Sequence, residues 1–186
     1  MQKKVLILVL FALMVLGGKM LPQSSTGAQT APVLAKPDFN KTDRAVWDGL
    51  SPVVRIVDGD TIVVEIDGVQ EKVRLIGVDT PEVVDPRKPV QCFGKEASVF
   101  TKNLLIGKRV RLEADPTQGD RDKYHRLLRY VFLGDGTLVN KKIIVEGYGH
   151  EYTYRIPYRY QTEFKTAERS AREAQKGLWA PNVCNK

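Results

Sequence analysis

"PVVRIVDGDTIVVEIDGVQEKVRLIGV", residues 52–78, holds three runs rich in β-branched residues, separated by Asp-Gly pairs at 58–59 and 67–68. β-Branched side chains suit a pleated sheet and Asp-Gly between apolar runs is a turn signal, so the stretch reads as three consecutive strands. The first junction carries more acid than a turn requires. In RIVDGDTIVV, residues 55–64, Asp58 is followed two positions later by Asp60, in a chain whose formal net charge is +7. Two readings stand open at this point: an Asp-Gly pair that turns the chain, or a carboxylate held out to bind a cation.

Working outward, the period changes after residue 93. Ala97, Phe100, Leu104 and Leu105 recur at helical spacing, and Gly107 sits where a helix stops, which predicts a helix over Gly94–Leu105. KRVRLEAD (108–115) alternates basic and apolar residues as a half-buried strand does, and LLRYVFLGDGTLVN (127–140) reads as a strand followed by a Gly-Asp-Gly turn. NKKIIVEGYG (140–149) predicts a short helix ended by glycine. Residues 160–176 predict a longer one, with Phe164, Ala167, Ala171 and Ala174 on one face and Gly177 closing it. Three strands, a helix, two strands and two helices give an α+β, mainly β, chain. The expected architecture is a five-stranded OB-fold barrel with three helices; a flat α+β sheet shares the same pattern.

With 186 residues, 42% hydrophobic and 27% charged, the chain has the composition of one core with a tail, not of wholesale disorder. Residues 1–20 have the layout of a signal peptide: a basic head, an unbroken apolar run over residues 5–16, then Gly17 and Gly18. That run is shorter than the roughly 20 residues that span a bilayer, so an uncleaved anchor is the second reading. No cysteine follows it to suggest a lipid anchor. Residues 21–50, rich in Pro, Ser, Thr, Gly and Ala, read as a flexible spacer, and residues 51–182 as the folded domain. The expectation is a secreted or extracytoplasmic protein, membrane-anchored if the first segment is retained. Without residues 1–28, which carry Lys3, Lys4 and Lys19 and no acid, the formal charge falls from +7 to +4 and stays basic, as suits a polyanionic partner. Two cysteines, Cys92 and Cys184, are an even count in a chain read as exported. Their pairing is expected to stabilise by about 4 kcal/mol through loop closure, against two unrelated thiols. Two distant cysteines and two histidines do not offer a zinc site.

Three polar clusters fall at ends of the expected strands: Asp58 with Asp60; Arg74 with VDTPE (78–82); and DKYHR (122–126). Singly, the second is no more than a helix-cap or turn cluster and the third no more than a charged loop. Together they supply carboxylates for a hard cation, another carboxylate to handle water, and two guanidiniums for a phosphate. Phosphodiester hydrolysis needs that set. Its transition state gathers charge on the phosphoryl oxygens. A guanidinium holds two of those oxygens in one planar fork, an oxygen-ligated Ca²⁺ or Mg²⁺ polarises the phosphate, and a carboxylate orients or deprotonates the attacking water.

The ordered set DGDT, Arg74, VDTPE, GKEAS, DKYHR, LVN and GLW resembles the staphylococcal nuclease (thermonuclease) family over roughly residues 53–180. The resemblance implies that Asp60 and Asp79 bind Ca²⁺ with the backbone carbonyl of Thr80. It implies that Arg74 and Arg126 grip the scissile phosphate, that Glu82 serves the attacking water, and that Lys123 and Tyr124 contact a neighbouring phosphate. It also implies hydrolysis of DNA and RNA to 3′-phosphates with low sequence specificity, by a monomer without an obligate protein partner. Tyr152 and Tyr154 stand near where the family stacks a base of single-stranded substrate, with core or rim positions as the alternative. His125 departs from the family pattern, which often has glycine there; it reads as a narrowed pocket or as an exposed loop histidine. A non-catalytic nucleic-acid- or protein-binding module of the same fold is the second functional reading, and the complete set of arginines and carboxylates argues for the enzyme.

Overall fold

A computed structural model of the chain describes residues 49–83 and 89–184. The expected signal segment, the spacer up to residue 48 and residues 84–88 lie outside them. The three strands expected from residues 52–78 form as β1 (Ser51–Ile56), β2 (Thr61–Ile66) and β3 (Val69–Leu75). The remaining elements are β4 (Val78–Asp79), α1 (Gly94–Leu105), β5 (Arg109–Glu113), β6 (Leu127–Leu133), α2 (Val139–Val145), β7 (His150–Glu151), α3 (Gln161–Glu173) and a 3₁₀ turn (Gly177–Trp179).

The strands β1, β2, β3, β6 and β5 close into a barrel in that order, which excludes the flat sheet. All neighbours are antiparallel except β3 and β6, and the parallel pair needs a long crossover, here the chain through β4, α1 and β5. β1 must reach both β2 and β5. It does so through a bulge: Val53 pairs with Val64 but Arg55 with Val63, leaving Val54 as the extra, exposed residue, while Ser51 and Pro52 pair with Val110 and Arg109. Ile62, Val64, Val73, Leu75, Val110 and Val131 fill the barrel, joined by Leu105 of α1, Ile143 of α2 and Phe164 of α3.

Three details differ from expectation. Chain 76–78 does not prolong β3; it leaves the barrel so that β4 can pair with β7, both too short for a sequence period to reveal. Thr101 occupies the inner face of α1 between Ala97 and Leu105, where its hydroxyl donates to the Gly59 carbonyl (2.7 Å), while Phe100 and Leu104 are only partly buried. Ala174 lies just past the end of α3 and is exposed.

Two long-range ties close the fold. Cys92 and Cys184 are bonded, their Cα atoms 5.8 Å apart and 92 positions apart in the chain. Asn140, fully buried at the start of α2, accepts the Val131 N–H (2.9 Å) and donates to the carbonyls of Ile76 (2.9 Å) and Arg129 (3.3 Å). One side chain thus fastens a helix to β6 and to the segment leading into β4. Its replacement strands buried backbone groups, so Asn140→Ala is expected to lower the unfolding free energy by about 2–4 kcal/mol in a urea titration.

Candidate active site

The turn between β1 and β2 is built from its own side chains. Asp58 Oδ1 accepts the Asp60 N–H (3.1 Å), which is the turn role open to the first aspartate. Gly59 is there for room: a Cβ on it would stand 2.7 Å from Thr80 Oγ1 and 2.8 Å from two Thr80 carbons. That gap lets Thr80 press in, and its N–H and hydroxyl both donate to Asp60 Oδ2 (2.8 and 3.1 Å). Asp60 is only 5% exposed, so these bonds offset what a buried charge would otherwise cost.

Arg74 enters the same cluster from β3, where it lies opposite Thr61 in the β2–β3 ladder. Its Nη2 reaches Asp79 Oδ1 (2.8 Å) and Asp60 Oδ2 (3.2 Å), and its Nη1 donates to the carbonyls of Val78 (2.6 Å) and Leu75 (3.2 Å). Arg126 joins through a hydroxyl: Thr61 Oγ1 donates to Asp60 Oδ1 (3.1 Å) and accepts from Arg126 Nη1 (3.3 Å). Asp122 holds the far side of Arg126, with Oδ2 2.7 Å from both Nε and Nη2 and Oδ1 accepting the Arg126 and Tyr124 N–H groups. Thr61 and Asp122 are the positioning groups that reasoning from sequence did not assign. For Asp122 the signal was present, as an Asp four residues before an Arg.

The other expected residues sit around this chain of contacts. Lys123 Nζ and the Arg126 guanidinium lie 5.0 and 5.4 Å from the exposed Tyr124 ring. Glu82 accepts the Val83 N–H on its carboxylate (2.9 Å), and its backbone exchanges bonds with Gln91, next to the disulfide. Tyr152 and Tyr154 are exposed and pair with each other, ring centroids 6.3 Å apart, and the Tyr152 N–H bonds Gly77 O before β4. His125 is exposed, as one of its two readings expected, with φ of +63°. Glycine takes that conformation without strain, whereas a side chain disfavours it.

Electrostatics set these acids apart. Burial, with Asp60 alongside, pushes the Asp58 carboxyl up to about 7 from an ordinary 3.8. Desolvation raises the Asp79 carboxyl against the pull of Arg74, with Asp60 and Glu82 adding to the rise. For Asp122, burial acts upward too, but the hydrogen bonds from Arg126 and Tyr124 outweigh it and hold the carboxyl below its usual range.

Among the described residues, no group of three or more Asp, Glu, His or Cys side chains gathers as a metal set. Asp60 and Asp79 nonetheless share one cationic atom, Arg74 Nη2, so a positive charge already sits between them. Two carboxylates with the backbone oxygen of Thr80 make an all-oxygen donor set, which fits a hard divalent cation that completes its shell with water.

A family model described as "Staphylococcal nuclease homologue" matches residues 72–181. The thermonuclease of Staphylococcus hyicus is 46% identical over 128 residues, which cover 69% of this chain and 74% of the relative. The thermonuclease of Staphylococcus intermedius is 46% identical over 141 residues, 76% of this chain and 82% of the relative. Endonuclease YncB of Bacillus subtilis is 38% identical over 128 residues, 68% of this chain and 59% of the relative.

The buried Asp58 carries a pH signature. Its folded-state carboxyl keeps a proton up to about pH 7, whereas in the unfolded chain it ionises near 3.8. Its contribution is therefore complete below pH 4 and is lost as pH rises toward and through 7. Asp58→Asn keeps the acceptor for the Asp60 N–H and removes that loss. In EDTA, urea titrations should show the variant gaining on the parent by up to about 4 kcal/mol between pH 4 and pH 8.

Proposed function

Because the chain belongs to the staphylococcal nuclease family and is a nuclease that hydrolyses phosphodiester bonds, we propose that it is an exported, Ca²⁺-dependent enzyme. It cleaves DNA and RNA with low sequence specificity, prefers single strands, leaves 3′-phosphates and acts as a monomer. The observation that carries the site assignment is the continuous contact from Asp79 through Arg74, Asp60 and Thr61 to Arg126. It gathers Asp60, Asp79, Arg74 and Arg126 in one cluster where β2 begins and β3 ends, which supports reading the two acids as holders of the cation and the two guanidiniums as the grip on the phosphate. Export is supported by the signal-like head and by the bonded Cys92 and Cys184, which suit an oxidising compartment.

Asp60, Asp79 and the Thr80 carbonyl are the groups that would hold Ca²⁺, which when bound supplies charge to polarise the phosphate. Arg126 binds a phosphate oxygen from a fixed position, since Asp122 immobilises the side chain at Nε and Nη2. Arg74 supplies the second guanidinium through the Nη2 end that Asp60 and Asp79 hold, and two such groups match the spread of charge over the phosphoryl oxygens. Glu82 orients the attacking water or takes its proton. Lys123 and Tyr124 receive the neighbouring phosphate, and Tyr152 and Tyr154 offer faces to unpaired bases.

Purified protein is to be given end-labelled single-stranded DNA, duplex DNA and RNA, with Ca²⁺ and with chelator. Cleavage is expected with Ca²⁺ only, fastest on single strands. Arg126→Ala and Glu82→Gln should each lower kcat by about 10²–10³-fold in variants whose circular dichroism matches the parent. Tight binding without cleavage under every metal condition would defeat the catalytic assignment in favour of a binding module.

A further inference from the structure

The turn that presents Lys123, Tyr124 and Arg126 contains one residue in an unfavourable conformation. His125 stands at φ +63°, in the left-handed region that a side chain disfavours and that persists only where the surroundings over-determine it. Within the turn, the His125 N–H donates to the Asp122 carbonyl (2.9 Å). Asp122 also donates its N–H to the Arg126 carbonyl (3.0 Å) and accepts the Tyr124 and Arg126 N–H groups on Oδ1, and a further restraint comes from outside the turn. Arg121 Nη1 donates to the His125 carbonyl (2.9 Å), and the same guanidinium meets both oxygens of Glu71, at 2.8 and 2.9 Å. Glu71 lies on β3, opposite Val64 of β2, so the turn is anchored to the barrel wall fifty positions earlier in the chain.

An isolated surface ion pair contributes little. This one differs in geometry: the fork is bidentate, which fixes the guanidinium plane, and the fixed plane aims a third bond at a strained backbone carbonyl. Arg121 is placed independently as well, since its backbone bridges to Leu127 and the Leu128 N–H bonds the Asp120 carbonyl. The hydrogen bonds from Arg121 also hold the Glu71 carboxyl below its usual range, so the acid is ionised throughout the neutral range.

We infer that Glu71 and Arg121 are positioning residues, a clamp that holds His125 left-handed and thereby sets where Tyr124 and Arg126 meet the nucleic acid. This rests on the reading of Lys123, Tyr124 and Arg126 as substrate contacts. Glycine would take this backbone conformation unaided; this chain has histidine there, and a guanidinium bolted to β3 holds it.

The test compares the parent protein with Glu71→Ala, Arg121→Ala, the double variant, and Glu71→Ala combined with His125→Gly. Two quantities are measured: kcat and KM on a single-stranded oligonucleotide with Ca²⁺, and amide hydrogen exchange across residues 122–126 without substrate. Each single variant should lower kcat/KM by about tenfold, as small misplacement of a binding group does, and the double variant should be no worse than either. Exchange in the turn should speed up in parallel. Adding His125→Gly should bring both readouts back to within about threefold of the parent, because glycine needs no clamp. Parent-like exchange in the single variants would overturn the clamp. Faster exchange with unaltered kcat/KM, or a loss that glycine does not restore, would overturn its role in positioning. Exchange is read without substrate, so failure of the nuclease reading itself is distinguishable from failure of the clamp.

Discussion

The Asp60 carboxylate is the group around which the site is arranged. It is almost fully buried, and a buried charge is stable only where the fold surrounds it with donors. Three hydrogen bonds and an ion pair come from three directions: the Thr80 N–H and hydroxyl and the Thr61 hydroxyl donate, and the Arg74 guanidinium pairs with it. Each requirement passes outward. Thr80 can approach only because position 59 lacks a Cβ. Arg74 can approach because β3 pairs in the register that sets it against Thr61. The short β4–β7 pair then holds Asp79, the residue before Thr80, where Arg74 also reaches it.

The two arginines of the site are held by different logic. Arg126 is gripped by Asp122, a carboxylate in its own turn whose hydrogen bonds keep it ionised. Its orientation is thus independent of Asp60 and Asp79, apart from the long Thr61 contact. Arg74 is gripped by Asp60 and Asp79 themselves, together with two backbone carbonyls. The backbone bonds keep its Nη1 in place whatever the charge state of the carboxylates, while the Nη2 end answers to them. One guanidinium is therefore a fixed element of the barrel end and the other is electrostatically tied to the acids around it.

How much of this was legible in the sequence follows from the range of each interaction. Strand runs bounded by Asp-Gly pairs, and apolar faces at helical spacing, are local patterns, and β1, β2, α1 and β5 appear within a residue or two of where they were read, while β3 ends three residues early. β4 and β7 are two residues each, so no period exists to find, and only their mutual pairing creates them. Asp58 and Gly59 were legible as a turn, but the reason for the glycine is Thr80, some twenty residues away, and the burial of Asp58 depends on the assembled barrel end. Thr101 reads as a polar interruption of a helix face until the Gly59 carbonyl is known to lie beneath it. The site residues that resemblance supplied are ordered along the chain. Their coupling through Thr61, and the grip of Glu71 on Arg121, are three-dimensional facts that no spacing encodes.

A barrel end crowded with charge is a poor contributor to stability, and the distribution of restraints reflects that. Asp58 and Asp79 both sit with carboxyls raised by desolvation and by neighbouring acids, which is free energy stored against the folded state. The compensation lies elsewhere: in the apolar filling of the barrel, in Asn140 joining α2 to two backbone segments, and in the bond between Cys92 and Cys184. The disulfide deserves its place beside the site for a second reason. Cys92 follows Gln91, whose side chain and backbone both engage the Glu82 backbone, so the bond to Cys184 restrains the point where Gln91 meets Glu82. A covalent tie fits here because Gln91 and Cys92 are themselves exposed, and packing alone would hold that neck weakly.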